Sequence, residues 1–241
     1  MNKSKIIAHR GASKYAPENT IAAFKKAMEL GSDGIELDVQ LSSDGHIVVI
    51  HDEKLERTSN GSGLVKDKTL KELRELDFGS WFSPEFKGET IPTLTEIMEL
   101  LQDWEGLLNI EIKSGPVIYP EIEEKVVSLV NKFSNKNRVI ISSFNHYSLV
   151  KIKKIDPDIK TGILYVAGLY EPWTYAKKLD AYAIHPLFYN IVPEVVFGCL
   201  ENGISINTYT VDDPYMIKRI SEIGVQGIIT NVPDVALNAI N

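Results

Sequence analysis

The sequence predicts an α/β chain folded as one closed (β/α)8, or TIM, barrel, and three observations carry the prediction. Short β-rich apolar runs alternate with amphipathic helical stretches along most of the chain. Eight such runs can be marked, more than an open doubly wound sheet usually holds. The 241 residues suit a single barrel domain. No Gly-x-Gly-x-x-Gly loop follows the first run, so a dinucleotide-binding fold gains no support.

The expected strands, in order, are Lys5–His9, Gly34–Val39, Leu107–Lys113, Arg138–Phe144, Lys160–Tyr165, Ala181–His185, Ile204–Thr210 and Gln226–Thr230. Helical patterns lie between them. Ile21, Phe24 and Met28 recur at helical spacing behind Asn19-Thr20, a pair suited to capping a helix start. Ile122, Val126, Leu129, Val130 and Phe133 form a second stripe, and Pro193–Leu200 and Met216–Ile223 predict two more helices. Residues 53 to 91 break the rhythm, with Gly61, Gly63, Gly79, Pro84 and Gly88 and one short helical pattern at Leu70–Leu76. A structureless loop of that length is uncommon in a compact domain. A separate domain of that size would bury little core, so the stretch reads as a small insertion capping one end of the barrel within a single 1–241 domain.

Composition narrows the function. Hydrophobic residues make up 44% and charged residues 24%, which excludes a disordered chain, a collagen and a coiled coil. Lys and Arg total 26 against 33 Asp and Glu, a net charge of −7, a poor balance for general nucleic-acid binding. The single cysteine, Cys199, excludes an internal disulfide framework and a thiolate zinc site, and its apolar neighbours predict packing. No run of 18 apolar residues predicts a membrane span, and the charged start Met1–Arg10 does not read as a signal peptide. The expectation is a cytoplasmic protein without stable membrane insertion.

The chemistry concentrates at strand ends. In Gly34–Val39, Ile35, Leu37 and Val39 share one face, and Glu36 and Asp38 share the other. Both faces of a barrel strand are covered, so two neighbouring carboxylates there are costly, and a bound cation relieves their repulsion. Asn109, Glu111 and Lys113 share a face of another strand, which places Glu111 within reach of the same ion. Three carboxylates form an all-oxygen set that suits a hard divalent cation, Mg²⁺ or Ca²⁺. His9 ends the first strand, and His51 ends the run Ile47–Ile50 before Asp52. The C-terminal face of a barrel carries its active site, and histidine exchanges protons near neutral pH. Arg10 is a fork for phosphate, and Lys113 neutralises developing negative charge. Glu18 and Asn19 stand before the first helix, where Asn19 also suits a cap. Tyr209 shares a strand face with Asn207 and Ser205 and is a candidate wall of the substrate pocket; His185, ending its own strand, is a weaker one. His46 falls in an Asp-Gly turn and reads as solvent-facing; His146 reads as a polar group at a helix start. This set fits phosphoryl transfer better than sugar or peptide chemistry.

Taken together, His9-Arg10-Gly11, Pro17-Glu18-Asn19-Thr20, Glu36-Leu37-Asp38-Val39, His51-Asp52 and Glu111-Ile112-Lys113 resemble the glycerophosphodiester phosphodiesterase family. Weaker echoes in Ser142-Ser143-Phe144, Asn207–Val211 and Gly224–Asn231 extend the resemblance over nearly the whole chain. It implies a barrel with an insertion after the second strand unit, and metal-dependent hydrolysis of glycerophosphodiesters, such as glycerophosphocholine or glycerophosphoethanolamine, to an alcohol and glycerol 3-phosphate. It implies Glu36, Asp38 and Glu111 as metal ligands and His9 and His51 as general acid and base. It further implies Arg10 and Lys113 on the phosphate, and Glu18 and Asn19 as supports. Two positions depart from the family pattern: Tyr209 stands where Trp is usual, and Asn231 where Asp is usual. Rival readings are a lipid-directed, phospholipase D-like relative, a phosphodiesterase for another small diester, and a non-catalytic metal or phosphate-ester sensor. The lipid-directed one needs an exposed apolar surface, for which Trp81 and Phe82 are the main suspects.

Overall fold

The computed structural model describes residues 3–133 and 136–241. Met1 and Asn2, part of the segment read for a signal peptide, lie outside the described residues. The strands are β1 (Lys5–His9), β2 (Gly34–Leu41), β3 (Ile47–Val49), β4 (Leu107–Ile112), β5 (Val139–Ser143), β6 (Lys160–Tyr165), β7 (Ala183–Pro186), β8 (Ser205–Thr208) and β9 (Gly227–Thr230). The helices are α1 (Ile21–Glu29), α2 (Leu70–Arg74), α3 (Leu94–Leu100), α4 (Ile122–Lys132), α5 (His146–Ile155), α6 (Pro172–Lys178), α7 (Pro193–Glu201), α8 (Pro214–Ile223) and α9 (Pro233–Ile240).

All strands but β3 pair in parallel, and β1 pairs with both β2 and β9, so the sheet closes on itself as the predicted barrel. One expectation is corrected. The run ending at His51 is no barrel strand: β3 turns back on β2 as an antiparallel hairpin, with Val39 opposite Val49 and Leu41 opposite Ile47. An Asp44-Gly45 turn lets β2 outrun the barrel and then return, and Ile50 N–H donates to the Asp38 carbonyl. His51 therefore reaches the barrel mouth from outside the barrel. Strand ends also shift: the segment expected over Ile204–Thr210 is strand only at Ser205–Thr208, and Tyr209 lies beyond it.

Local sequence sets the helix starts. Thr20 Oγ1 accepts from Ala23 N–H, so the cap of α1 is Thr20, which frees Asn19 for other work. Capping boxes Thr69/Glu72 and Thr93/Glu96 start α2 and α3. The outward faces of the strands (Ile6, Ala8, Ile35, Leu37, Val39, Ile110, Ile112) pack against the helices in one continuous core. Beneath residues 53–91 lies a smaller apolar cluster of its own, made by Val48, Ile50, Leu55, Val65, Leu73, Phe78 and Ile91. No helix among the described residues is long and apolar enough to cross a membrane.

Candidate active site

Register brings the predicted residues together. His9 lies opposite Glu36, Glu36 opposite Asn109, and Asp38 opposite Glu111, so all five project into the barrel at the C-terminal ends of adjoining strands. Carboxylate oxygens of Glu36, Asp38 and Glu111 lie within 4.8 Å of one another, and all three residues are buried. A cavity of about 200 Å³ opens here, lined by His9, Arg10, Glu36, His51, Glu111, Lys113 and Tyr209. A larger groove of about 810 Å³ lies elsewhere, between the β2–β3 hairpin and α3 and α4. Its exposed lining of mixed charge holds none of the chain's buried unpaired polar atoms among the described residues.

The charges around the cavity interlock. Arg10 Nη1 donates to Glu18 Oε1 at 2.8 Å, and its Nε lies 3.4 Å from Asp38 Oδ2. Lys113 Nζ lies 2.8 Å from Glu111 Oε1 and 3.7 Å from Asp38 Oδ1. Asn19 Nδ2 donates to Asp38 Oδ2 at 2.9 Å, its backbone held at a positive φ of 59°. Arg10 N–H donates to Glu36 Oε2 at 2.9 Å. That turn continues through Gly11, at φ 79°, where an added Cβ would stand 2.7 Å from the Ala23 backbone; only glycine fits.

The three carboxylates differ in proton affinity. Burial alone would raise Asp38, but Arg10, Lys113, His51 and Asn19 outweigh it and hold it near 2. Burial and the neighbouring Asp38 push Glu111 up to about 7. Burial, Asp38 and Glu111 likewise push Glu36 well above the ordinary carboxylate range. Three clustered, buried carboxylates beside two cations cannot all ionise without cost, and a hard divalent cation fits an all-oxygen donor set of this kind. Asn109 Oδ1, buried without a partner on the same cavity wall, adds a further free oxygen.

Each candidate histidine is held by one nitrogen. His9 Nδ1 lies 2.7 Å from Asn231 Oδ1. The Asn231 amide is itself fixed: its Nδ2 donates to Asp212 Oδ2 at 2.7 Å, and its Oδ1 accepts from Ser13 Oγ at 2.8 Å. Oδ1 is thus an acceptor, His9 Nδ1 carries the proton, and Nε2 is free. His51 Nδ1 donates to Asp52 Oδ1 at 2.6 Å, again leaving Nε2. Burial, with Arg10 alongside, lowers His9 to about 4.

Two residues in this framework escaped the sequence reading. Arg57, inside the 53–91 segment, donates Nε and Nη2 to Asp52 (2.6 and 3.0 Å) and Nη1 and Nη2 to Glu18 (2.8 and 2.7 Å). Those bonds hold Asp52 far below its usual range. Asp212, just past β8, orients Asn231. Neither belongs to a strand pattern, so no periodicity flagged them. His185 does not line the cavity: it is fully buried inside the barrel, with Nε2 3.0 Å from Asn207 Nδ2. Tyr209 does line it; its hydroxyl donates to the Tyr165 carbonyl at 3.1 Å, and its ring meets Phe144 edge-on at 6.1 Å.

Comparison with known proteins agrees with the geometry. Residues 9–235 match the Glycerophosphoryl diester phosphodiesterase family. The chain is 55% identical to a glycerophosphodiester phosphodiesterase of Caldanaerobacter subterraneus subsp. tengcongensis over 238 residues, 99% of this chain and 98% of that one. It is 42% identical to one of Bacillus altitudinis, covering 97% of each. Its fold matches an Oleispira antarctica phosphodiesterase solved in complex with the product sn-glycerol-3-phosphate: TM-score 0.90, 31% identity, 99% of this chain and 97% of that one. The resemblance read from the motifs is borne out, and the chain belongs to the glycerophosphoryl diester phosphodiesterase family of hydrolases.

Proposed function

We propose that this protein hydrolyses glycerophosphodiesters, with the small-molecule diesters glycerophosphocholine and glycerophosphoethanolamine as the first candidates, to an alcohol and glycerol 3-phosphate. The observation that carries the reading is the meeting, in one cavity, of three buried carboxylates with two histidines whose Nε2 atoms are free. The product bound to the Oleispira antarctica protein is of the same class. Glu36, Asp38 and Glu111 would hold one divalent cation, Mg²⁺ or Ca²⁺, which when bound supplies charge neutralisation and polarises a phosphoryl oxygen.

The chain's own residues do the rest. Arg10 and Lys113, both lining the cavity, bind non-bridging phosphate oxygens. Glu18 and Asn19 keep Arg10 and Asp38 in place. One histidine takes at Nε2 the proton of the attacking hydroxyl as the new P–O bond forms: that of water, or that of the neighbouring glycerol hydroxyl, whose cyclic phosphate water then opens. The other, as its imidazolium with both ring nitrogens protonated, gives its Nε2 proton to the departing alkoxide as the old bond breaks. General acid–base help of this kind contributes about 10² to 10⁴ in rate. Tyr209 and Phe144 wall the space for the departing alcohol. Residues 53–91 act as a cap that delivers Arg57 to this framework.

The test is release of glycerol 3-phosphate from glycerophosphocholine, glycerophosphoethanolamine and glycerophosphoglycerol, with Mg²⁺, with Ca²⁺ and with chelator. Chelator-sensitive release that is lost in His51→Ala supports the reading. No release from any diester with either metal overturns it.

A further inference from the structure

The mouth of the barrel is chemically lopsided. The charged residues of the candidate site sit at the ends of β1, β2 and β4, with His51 after β3. Beyond Lys113, the loops and helix starts that follow β4 to β7, four consecutive neighbours in the sheet, each expose apolar or aromatic side chains. There Ile118 is 76% exposed, Tyr147 88%, Tyr170 91% and Tyr189 76%, with Val166 and Phe144 also exposed. This corrects the expectation that Trp81 and Phe82 are the main suspects for an exposed apolar surface. These residues follow the C-terminal ends of successive strands, so they form one arc. Asn190 Nδ2 donates to the Val166 carbonyl, and His146 joins the Leu164 carbonyl to the Tyr175 hydroxyl, which ties the arc's loops together. Exposed apolar side chains gathered on one side of a rim in this way mark an interaction surface.

We propose that this arc docks the protein on the surface of a zwitterionic lipid aggregate, so that phosphodiesters at that surface enter the cavity directly. Three observations select this occupant. The arc is continuous with the cavity, because Phe144 lines the cavity and belongs to the rim. A protein partner covering the arc would therefore also cover the entrance, whereas a surface that presents substrate would not. The exposed residues are mainly tyrosines, whose rings sit at a lipid–water boundary with the hydroxyl toward water. The charge pattern argues against an anionic surface: residues 114–119, 166–170 and 187–192 contain no Lys or Arg, Glu171 follows the second of these segments, and the chain carries −7. The docking stands on the surface alone; delivery of substrate rests on the proposed hydrolysis.

The experiment uses the double variant Tyr147→Ser/Tyr170→Ser, whose positions lie outside the candidate site. Wild-type and variant protein are sedimented with phosphatidylcholine vesicles and with vesicles half phosphatidylglycerol, and both are assayed on soluble glycerophosphocholine. The expected result is partitioning to phosphatidylcholine vesicles that falls about tenfold or more in the variant, weaker partitioning to anionic vesicles, and unchanged turnover of glycerophosphocholine. Equal partitioning of wild type and variant, or none by the wild type, overturns the proposal. So does concentration-dependent self-association, seen by light scattering and abolished by the same substitutions, which would assign the arc to a second copy of the chain. Failure to turn over glycerophosphocholine with vesicle binding intact would overturn the hydrolysis and leave the docking standing.

Discussion

His9 Nδ1 lies 2.7 Å from Asn231 Oδ1, and the Asn231 amide cannot turn over, because Asp212 accepts from its Nδ2. The position that departs from the family pattern thus holds a candidate catalytic ring in one tautomer. Replacing Asn231 with Leu removes that hold and should lower kcat/KM roughly 10- to 100-fold, the usual effect of losing such a support. Asn231→Asp tests the sign. A carboxylate beside Nδ1 favours the imidazolium, so His9 rises from about 4 and the acidic limb of the pH–rate profile moves to higher pH. A limb that stays in place would remove His9 from the rate-determining ionisations.

Arg57 gives the second prediction. One guanidinium spans Asp52, which holds His51, and Glu18, which holds Arg10. Its four hydrogen bonds need a planar fork, which lysine lacks. Arg57→Ala and Arg57→Lys should both lower kcat, by roughly tenfold or more, with far-UV circular dichroism unchanged. Full activity in the lysine variant would show that charge alone suffices.

The fold was legible because both faces of each barrel strand leave a mark in sequence. In Gly34–Val39 the apolar set meets the helices and the acidic set meets the cavity, and the same alternation in Leu107–Ile112 places Glu111 beside Asp38. What periodicity cannot carry is long-range pairing through irregular chain. The β2–β3 hairpin looked like any other apolar run, since strand direction is not written in composition. Arg57 and Asp212 act from loops, where nothing local marks the partner. Asn19 was ambiguous between a cap and a support until Thr20 took the cap. The aromatic arc was missed because Tyr147, Tyr170 and Tyr189 lie far apart in the chain, and only barrel closure gathers them.

The carboxylate cluster makes a thermodynamic prediction that needs no substrate. Glu111 is pushed to about 7 and Glu36 is raised as well, so without an ion the cluster retains protons at neutral pH. A cation requires ionised ligands, so binding expels them. Calorimetric titration with Mg²⁺ or Ca²⁺ in buffers of different ionisation enthalpy should report release of about one proton. Affinity should rise with pH between about 6 and 8. Glu111→Gln should lower the release to the share that Glu36 supplies. Binding with no proton release would place the ion elsewhere.

His185 sets the last prediction, on stability. It is fully buried, its Nδ1 has no partner, and burial lowers it to about 3. In the unfolded chain the same ring titrates near 6.5. Between those values the unfolded state binds the proton and the folded state does not, so stability is complete above about 6.5 and is lost as pH falls toward 3. His9, lowered to about 4, adds a loss of the same sign. His185→Gln removes one of the two contributions. Urea unfolding at pH 7 and pH 4.5 should show the stability difference between the two conditions shrinking by roughly 2–3 kcal/mol in the variant, from about 1.4 kcal/mol per pH unit. An undiminished difference would mean that the barrel interior admits the protonated ring, and that Asn207 beside it is solvated rather than dry.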